Sequence, residues 1–251
     1  AELSDAARRL DGAGTLTAVD LLERASELAA PPDRTALLAE AVWRANAVGR
    51  LRWSGEILAR ARAGVAWADD PAFNAGMDIV AAGMLTMRGR FAEAATMLAD
   101  AIDRGVAGGF PAARWVGLLV TATFPAFLTG HERLVAALGR EAPGAGEDPQ
   151  LTFPLALTRP AERVRARILA ADATLDPMSA ATAGAGALLI DEPEQALRLL
   201  GPAVRAVLDG TATSVHLSAP GAAGWALIDT GRWAEAEQLL VPLLSAPATA
   251  E

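Results

Sequence analysis

The hexapeptide GRFAEA at residues 89–94 returns as GRWAEA at residues 231–236, and this repetition decides the fold. Neither copy contains a nucleophile, a metal-binding imidazole or thiolate, or a lysine. A segment that is repeated but carries no chemistry of its own indicates a structural unit that the chain uses more than once.

The spacing of turn glycines gives the length of this unit. A Gly precedes each predicted second helix at Gly49, Gly89, Gly130 and Gly231, and the first two intervals are 40 and 41 residues. A further unit lacks the Gly, but EQALRLLGP at residues 194–202 aligns with AEAEQLLVP at residues 234–242 at a shift of 40. Because Pro inside a helix costs about 3 kcal/mol, the shared Leu-Leu-x-Pro indicates that the period of 40 residues is real.

Composition favours an all-helical chain, since Ala, Leu and Arg are in excess and aromatic residues make up only 5%. The net charge of -8, with no basic stripe, argues against nucleic-acid binding by this segment. The absence of Cys excludes disulfides and thiolate zinc sites, and without a signal peptide we expect a cytoplasmic protein. The uncharged run at residues 115–128 is too short for a membrane span, so we expect a helix buried between neighbours.

Each unit is predicted to be a pair of helices. In the last unit, apolar residues return at the spacing of one helical face at Trp233, Ala236, Leu239, Leu240, Leu243 and Leu244. The small residues Gly224 and Ala236 stand where paired helices would cross closely. We therefore predict αα-hairpins stacked into a right-handed solenoid with an inner and an outer surface, forming one domain over residues 1–251.

The array is interrupted after Gly130, because the next turn, at Asp191, follows only after 61 residues. The turn-rich segment at residues 141–150 is predicted to be a loop, and residues 156–175 an extra helix that starts near Pro160. One continuous solenoid with an insertion is the preferred interpretation. The alternative is two sub-arrays, residues 1–142 and 151–251, joined by a loop at residues 143–150.

The repeated unit resembles the tetratricopeptide repeat over roughly residues 35–245. The matching residues are Ala82, Gly89, Phe91 and Ala94 in one unit and Gly224, Gly231, Trp233 and Ala236 in the last. The period is longer than the family's usual length of about 34 residues, and Leu85 and Leu227 stand where the family has Tyr. The phrase GRWAEAEQLL is more specifically similar to the helical-repeat region of large ATP-binding LuxR-type regulators, the maltose-regulator-like family of actinomycetes.

The resemblance implies a non-catalytic module that senses an inducer or a partner and restrains an ATPase. In that family an ATPase domain precedes the repeats and a DNA-binding helix-turn-helix follows them, so both are expected elsewhere in a longer chain. A Walker A loop needs a Lys, and this sequence has none. We therefore expect no nucleotide or other cofactor here.

Possible catalytic and metal-binding patterns have simpler explanations. HERLV at residues 131–135 has Val135 where a zinc helix needs its second His, so His131 is interpreted as a helix start. WADDPAF at residues 67–73 is interpreted as an Asp cap before a Pro-initiated helix. His216 has no triad spacing around it. We predict neither catalytic residues nor a metal site.

The candidate binding residues come from the hairpin geometry. The position after each predicted crossing residue should face the inner surface, and it is occupied by Trp43, Gly83, Phe124, Ala185 and Trp225. Asn46 and Phe127 lie one turn further along. An apolar groove with few polar groups suits a small-molecule inducer or a helix of a protein partner. The alternative is that these side chains pack against the next hairpin.

Three functions remain open at this point. The preferred one is a ligand- or partner-sensing module of a transcriptional regulator. The second is a free-standing scaffold for protein–protein interaction, for which a basic or aromatic clamp would be expected. The third is an all-α enzyme with an apolar cavity, and against it stands the absence of convergent titratable groups.

Overall fold

A computed structural model describes residues 2–10, 15–47, 50–63, 71–108, 112–139, 148–159, 162–172, 175–209 and 218–245. These residues form helices and short turns, and they contain no strand. The prediction of an all-helical chain is therefore confirmed.

The helices in chain order are α1 Glu2–Arg8, α2 Thr15–Leu28, α3 Pro31–Ala47, α4 Leu51–Ala63, α5 Pro71–Met87, α6 Phe91–Gly108, α7 Ala112–Thr129, α8 Glu132–Leu138, α9 Thr152–Thr158, α10 Glu162–Ala170, α11 Pro177–Leu189, α12 Pro193–Leu208, α13 Ala219–Asp229 and α14 Trp233–Ser245. A 3-10 turn at Pro149–Leu151 precedes α9.

The helices pair in chain order as αα-hairpins, and each hairpin packs on the next. We call α3, α5, α7, α11 and α13 the first helices and α4, α6, α8, α12 and α14 the second helices. Among the first helices, α3 packs against α5, α5 against α7, and α11 against α13, while the short α9 bridges α7 and α11. Each of α4, α6 and α12 also packs against the first helix that follows it.

Four hairpin turns share one backbone arrangement. The backbone N–H of the residue after the turn donates to the carbonyl five residues earlier, in the pairs Arg50–Ala45, Arg90–Leu85, Glu192–Ala187 and Arg232–Leu227 at 2.8–2.9 Å. Gly89 and Gly231 adopt the left-handed conformation with φ of 72° and 74°. Asp191 takes the same conformation, with φ of 61°, in the unit that lacks the Gly. Gly49 lies outside the described residues.

The repeated hexapeptide has an ion pair at the start of the second helix. In GRWAEA, Arg232 donates from Nε to Glu235 Oε1 at 2.7 Å and from Nη2 to Glu235 Oε2 at 2.6 Å. Arg90 and Glu93 form the same two-pronged contact in GRFAEA. The Arg and Glu of the repeat therefore bind each other, and the repeated letters encode a turn followed by a helix start.

Two helix crossings place a glycine directly against a leucine side chain. A Cβ added at Gly184 would lie 2.8 Å from Leu200 Cγ, and one added at Gly224 would lie 2.7 Å from Leu240 Cδ1. Both pairs are separated by the same number of residues and repeat at a shift of 40. The close crossing predicted at Gly224 is therefore present, and an equivalent one occurs in the preceding hairpin.

The described residues between α8 and α11, where the 40-residue period breaks, also form packed helices but do not repeat the hairpin. Helix α10 lies inside the predicted extra helix, whereas α9 was not predicted as a separate element. Helix α9 packs against both α7 and α11, so the two halves of the chain are in contact through it. Of the predicted loop, residues 141–147 lie outside the described residues. Asp148 begins the 3-10 turn by accepting a hydrogen bond from Gln150 N at 2.9 Å.

Helix α7 contains the uncharged run of the sequence and passes through Pro125 without a break. Trp115, Val116 and Leu118 are buried, whereas Phe124 and Leu128 are exposed. The described helices include none whose length and hydropathy would let it cross a membrane.

Candidate binding surface

The predicted inner positions are half-exposed and not part of the core. Trp43, Phe124 and Trp225 keep 41%, 40% and 41% of their surface accessible. The residues immediately before them, Val42, Thr123 and Gly224, are buried. Helices α3, α7 and α13 therefore each bury one residue in the hairpin and expose the next one, and we call the side of the first helices that carries these exposed residues the inner face.

Two of the predicted residues meet across the inner face. The rings of Phe127 on α7 and Trp225 on α13 lie with their centroids 5.5 Å apart at an interplanar angle of 42°. Packed helix axes lie about 8–10 Å apart, so a flat row α7–α9–α11–α13 would separate the outer two by about 24–30 Å. Side chains could not bridge that distance. The end of α7 and α13 therefore approach each other directly and do not lie at the two ends of a flat row.

Phe124 makes a contact that the sequence reasoning missed. Its ring packs edge-to-face against Phe91, the first residue of α6, with centroids 5.8 Å apart and an interplanar angle of 84°. The sequence contains one signal for this contact, because Phe91 is the aromatic residue of the repeated GRFAEA. Phe124 and Phe127 lie on α7 and Trp225 lies on α13, and we call these three side chains the aromatic trough.

Trp43 and Asn46 lie apart from the aromatic trough. Both are on α3, and among the described residues no ring contact joins Trp43 to the aromatic residues of α7 or α13. The neighbouring Arg44 donates from Nε to Glu40 at 3.3 Å and from Nη1 to the Leu10 carbonyl at 3.1 Å. The five predicted groove residues thus divide into a trio at the trough and a pair on a more charged helix.

Charge is distributed unequally between the two sides of the hairpins. The first helices α5, α7, α11 and α13 contain only three charged residues, Asp78, Arg114 and Asp229. Asp78 pairs with Arg62 of α4 and Arg104 of α6. Asp229 is exposed at the last residue of α13. Helix α11, which lies between α7 and α13, is uncharged throughout and consists mainly of small residues.

The charged residues pair with each other along the second helices and their neighbours. The pairs that link different hairpins are Glu23–Arg60, Arg62–Asp78, Arg133 with Asp100 and Asp103, and Arg232–Glu194. Asp78 also pairs with Arg104 within the α5–α6 hairpin, and Arg165 of α10 pairs with Glu192. Most of these side chains are substantially solvent-accessible, so the exposed pairs add little to the stability of the fold. These ion pairs lie along the second helices and their neighbours, and not at the aromatic side chains of the trough.

Asp78 is the one strongly desolvated carboxylate with a perturbed pKa among the described residues. Burial raises its pKa above the ordinary value, against the lowering effect of Arg62 and Arg104. A carboxylate enclosed by two guanidinium groups is a structural link between α4, α5 and α6. Within the described ranges, no group of three or more His, Asp or Glu side chains could hold a metal ion.

The other residues considered as metal-binding or catalytic patterns either have a structural role or lie outside the described residues. His131 is the N-cap of α8, and its Nδ1 accepts a hydrogen bond from Leu134 N at 3.4 Å. Helix α5 begins at Pro71, whereas Trp67–Asp70 and His216 lie outside the described residues.

The chain shows no significant match to any protein-family model, curated protein or solved structure. The functional argument therefore depends on the geometry and charge of the inner face.

Proposed function

We propose that this chain is a tetratricopeptide-like right-handed solenoid that binds an uncharged, apolar small molecule in its aromatic trough. It acts as the non-catalytic sensor module of a LuxR-type transcriptional regulator. The solenoid is supported by the sequential packing of the hairpins and by the turn geometry that recurs at Ala45–Arg50, Leu85–Arg90, Ala187–Glu192 and Leu227–Arg232.

The observation that carries the binding proposal is the set of exposed aromatic rings on first helices that carry almost no charge. Ligand sites are concave, mostly apolar and lined by aromatic side chains with few polar groups. Phe124 and Trp225 keep about two fifths of their surface exposed. Helix α11, the first helix next to α13, has no charged residue. Placing a charged ligand there would desolvate its charge without a partner, and this is costly.

The regulator assignment depends on the resemblance of the repeats to the LuxR-type family. In that arrangement the trough receives an inducer, and ATP and DNA are bound by other domains of a longer protein. A scaffold that recognises charged peptides is less well supported, because the trough presents no cationic clamp. An enzyme is less well supported for the same reason, since no titratable groups converge there.

Two related fluorescent probes test the charge requirement. N-phenyl-1-naphthylamine is uncharged, and 1-anilinonaphthalene-8-sulfonate has the same ring system with an added sulfonate. We expect the uncharged probe to bind the folded protein with enhanced emission and the sulfonate to bind at least tenfold more weakly. Equal affinities would contradict the proposal.

A pair of Ala→Leu variants tests the location. Ala185 occupies the inner position of α11, so Ala185→Leu should fill the trough and abolish binding of N-phenyl-1-naphthylamine. Ala92 is an exposed residue of α6, and Ala92→Leu is the matched control that should leave the affinity unchanged. Circular dichroism melting curves verify that both variants are folded. Undiminished binding by folded Ala185→Leu would place the site elsewhere.

A further inference from the structure

Helix α14 carries an exposed apolar stripe, formed by Trp233 and Val241 about two turns apart on one side of the helix. The two side chains keep 65% and 50% of their surface accessible. Among the described helices, α13 is the main neighbour of α14. We propose that the stripe docks a helix of a partner protein, and that this helix combines apolar residues with one Arg or Lys. The stripe lies on a second helix, outside the aromatic trough.

The first copy of the repeat shows what covers the same positions inside the chain. Because GRFAEA aligns with GRWAEA, Phe91 and Ala99 of α6 are the counterparts of Trp233 and Val241. Ala99 is only 2% exposed and belongs to the core cluster that α6 shares with α7. Phe91 packs edge-to-face on Phe124 of α7. A helix therefore covers these positions in one unit, and the stripe on α14 has the shape that fits a helix.

The preceding hairpin gives a second case at a neighbouring position. Leu200 of α12 is buried, and α12 packs against α13, the first helix of the next hairpin. Leu240 of α14 is its counterpart at a shift of 40 residues and is only partly buried. In both cases the buried side chain belongs to a second helix that a further helix covers.

One charged residue on the stripe defines the chemistry of the covering helix. Glu237 lies between Trp233 and Val241, one turn from each, and is exposed. Its counterparts are apolar, since Ala95 of α6 is fully buried and Leu197 of α12 packs against a core cluster that includes residues of α13. Among the residues that the structure describes, Glu237 forms no ion pair. Covering a carboxylate without a partner is costly, so the helix must bring a cation to Glu237.

The same carboxylate argues against a second copy of this chain as the occupant. Two α14 helices packed face to face would bring two Glu237 side chains into one apolar contact, where like charges repel. Helix α1 exposes Glu2 and Asp5 and is not a basic apolar helix either. The formal net charge of -8 opposes association between copies and attracts a basic partner.

Two synthetic peptides test the proposed chemistry. Both are acetylated and amidated amphipathic helices with Leu along one face, and they differ in one residue on that face, which is Arg in one peptide and Glu in the other. Fluorescence anisotropy of the fluorescein-labelled peptides measures their affinities. We expect the Arg peptide to bind wild type about tenfold more tightly than the Glu peptide. Equal affinities, or no binding of either peptide, would overturn the proposal.

Charge reversal at Glu237 tests the location. Glu237→Arg should reverse the preference, so that the Glu peptide becomes the tighter ligand. Glu27 is an exposed residue of α2, and Glu27→Arg is the matched control that should keep the wild-type preference. Circular dichroism melting curves verify that both variants are folded. If the two variants behave alike, the peptides respond only to net charge and the proposal is wrong.

Removal of the exposed indole tests the apolar part of the stripe. Trp233→Ala should weaken binding of the Arg peptide about fivefold or more, because aromatic residues contribute strongly to interfaces. Its midpoint in urea should stay close to wild type, since most of the ring is already in water. Undiminished binding by Trp233→Ala would place the contact elsewhere and overturn the proposal.

The oligomeric state tests the competing occupant. Sedimentation equilibrium of wild type and Val241→Arg shows whether a second copy uses the stripe. A wild-type dimer that Val241→Arg dissociates would mean that a second copy covers α14, and the partner helix would be wrong. A monomer, or a dimer that Val241→Arg leaves intact, is the expected result, because the stripe is then open to the partner helix.

Discussion

The last two hairpins, α11–α12 and α13–α14, have the same framework at a shift of 40 residues but different surroundings. Gly184 and Leu200 cross as Gly224 and Leu240 do. Leu200 is only 1% exposed, whereas Leu240 is partly buried. Helix α12 packs against both α11 and α13, while the main contact of α14 is with α13. Local sequence thus sets the hairpin, and the neighbouring helices set how much stability each residue contributes.

The largest expected difference between the two hairpins is at the crossing leucines. Leu200→Ala should lower the free energy of unfolding by about 2–5 kcal/mol, because it leaves a cavity in a closed core. Leu240→Ala should cost about 1 kcal/mol, since a side chain that water already reaches loses less burial. Urea denaturation of both variants measures the two values. Equal losses would mean that α14 is as well covered as α12.

The crossing glycines should give the next largest effect. Gly184→Ala places a Cβ against the buried Leu200 Cγ, and we expect a loss of about 1–3 kcal/mol from overpacking. At Gly224 the nearest atom is the Cδ1 of Leu240, and the Leu240 side chain is only partly buried, unlike that of Leu200. Gly224→Ala should therefore be close to neutral, because better helix propensity offsets the remaining clash.

Gly83 provides the matched control for these two variants. It lies inside α5 and has no atom within 4 Å of an added Cβ. Gly83→Ala should stabilise the protein by about 0.5–1 kcal/mol through helix propensity alone. If Gly184→Ala shows the same gain, the helices do not cross as closely as the structure indicates.

The left-handed position of the turn is occupied by Asp191 in one hairpin and by Gly231 in the other. Asp191 has φ of 61° and Gly231 has φ of 74°. A non-glycine residue in the left-handed region costs about 1 kcal/mol. Asp191→Gly should raise the free energy of unfolding by about that amount, and Gly231→Asp should lower it by about as much. The double variant, measured by the same denaturation, should resemble wild type because the two turns are distant.

The sequence could predict the hairpins because their determinants are local. The turn at Gly231, the buried Ala236 and the half-exposed Trp225 all follow from their spacing within one unit. Asp191 was also placed at a turn, by alignment of the segments that follow it. The all-helical fold and the outward direction of Trp43, Phe124 and Trp225 required nothing beyond this periodicity.

The composition of the trough could not be predicted in the same way. The contact of Phe127 with Trp225 depends on how α7 and α13 are placed relative to each other. The chain between these two helices includes the non-periodic region of α9 and α10. No spacing rule relates residues on either side of such an insertion. Trp43 is at the equivalent position in its own unit but does not join the trough, because α5 packs between α3 and α7.

The smallest expected difference concerns the starts of α11 and α13. Asp176 caps α11, and its Oδ1 accepts hydrogen bonds from Met178 N and Ser179 N at 3.1 Å each. Ser218 precedes α13 and makes no side-chain capping bond. Asp176→Ala should therefore cost about 0.5–1 kcal/mol at neutral pH, and Ser218→Ala should cost nothing measurable.

This cap should also depend on pH in a defined direction. Hydrogen bonds from Ser179 and Met178 hold the pKa of Asp176 below its ordinary value of 3.8. A carboxyl group whose pKa is lower in the folded than in the unfolded state contributes stability above the unfolded value and loses it as the pH falls through the folded value. The difference between wild type and Asp176→Ala should thus be constant above about pH 5 and shrink below pH 3.8. Asp176→Asn keeps the acceptor oxygen but does not titrate, so its difference from Asp176→Ala should stay the same across this range, and a parallel decline in both comparisons would assign the effect to other carboxylates.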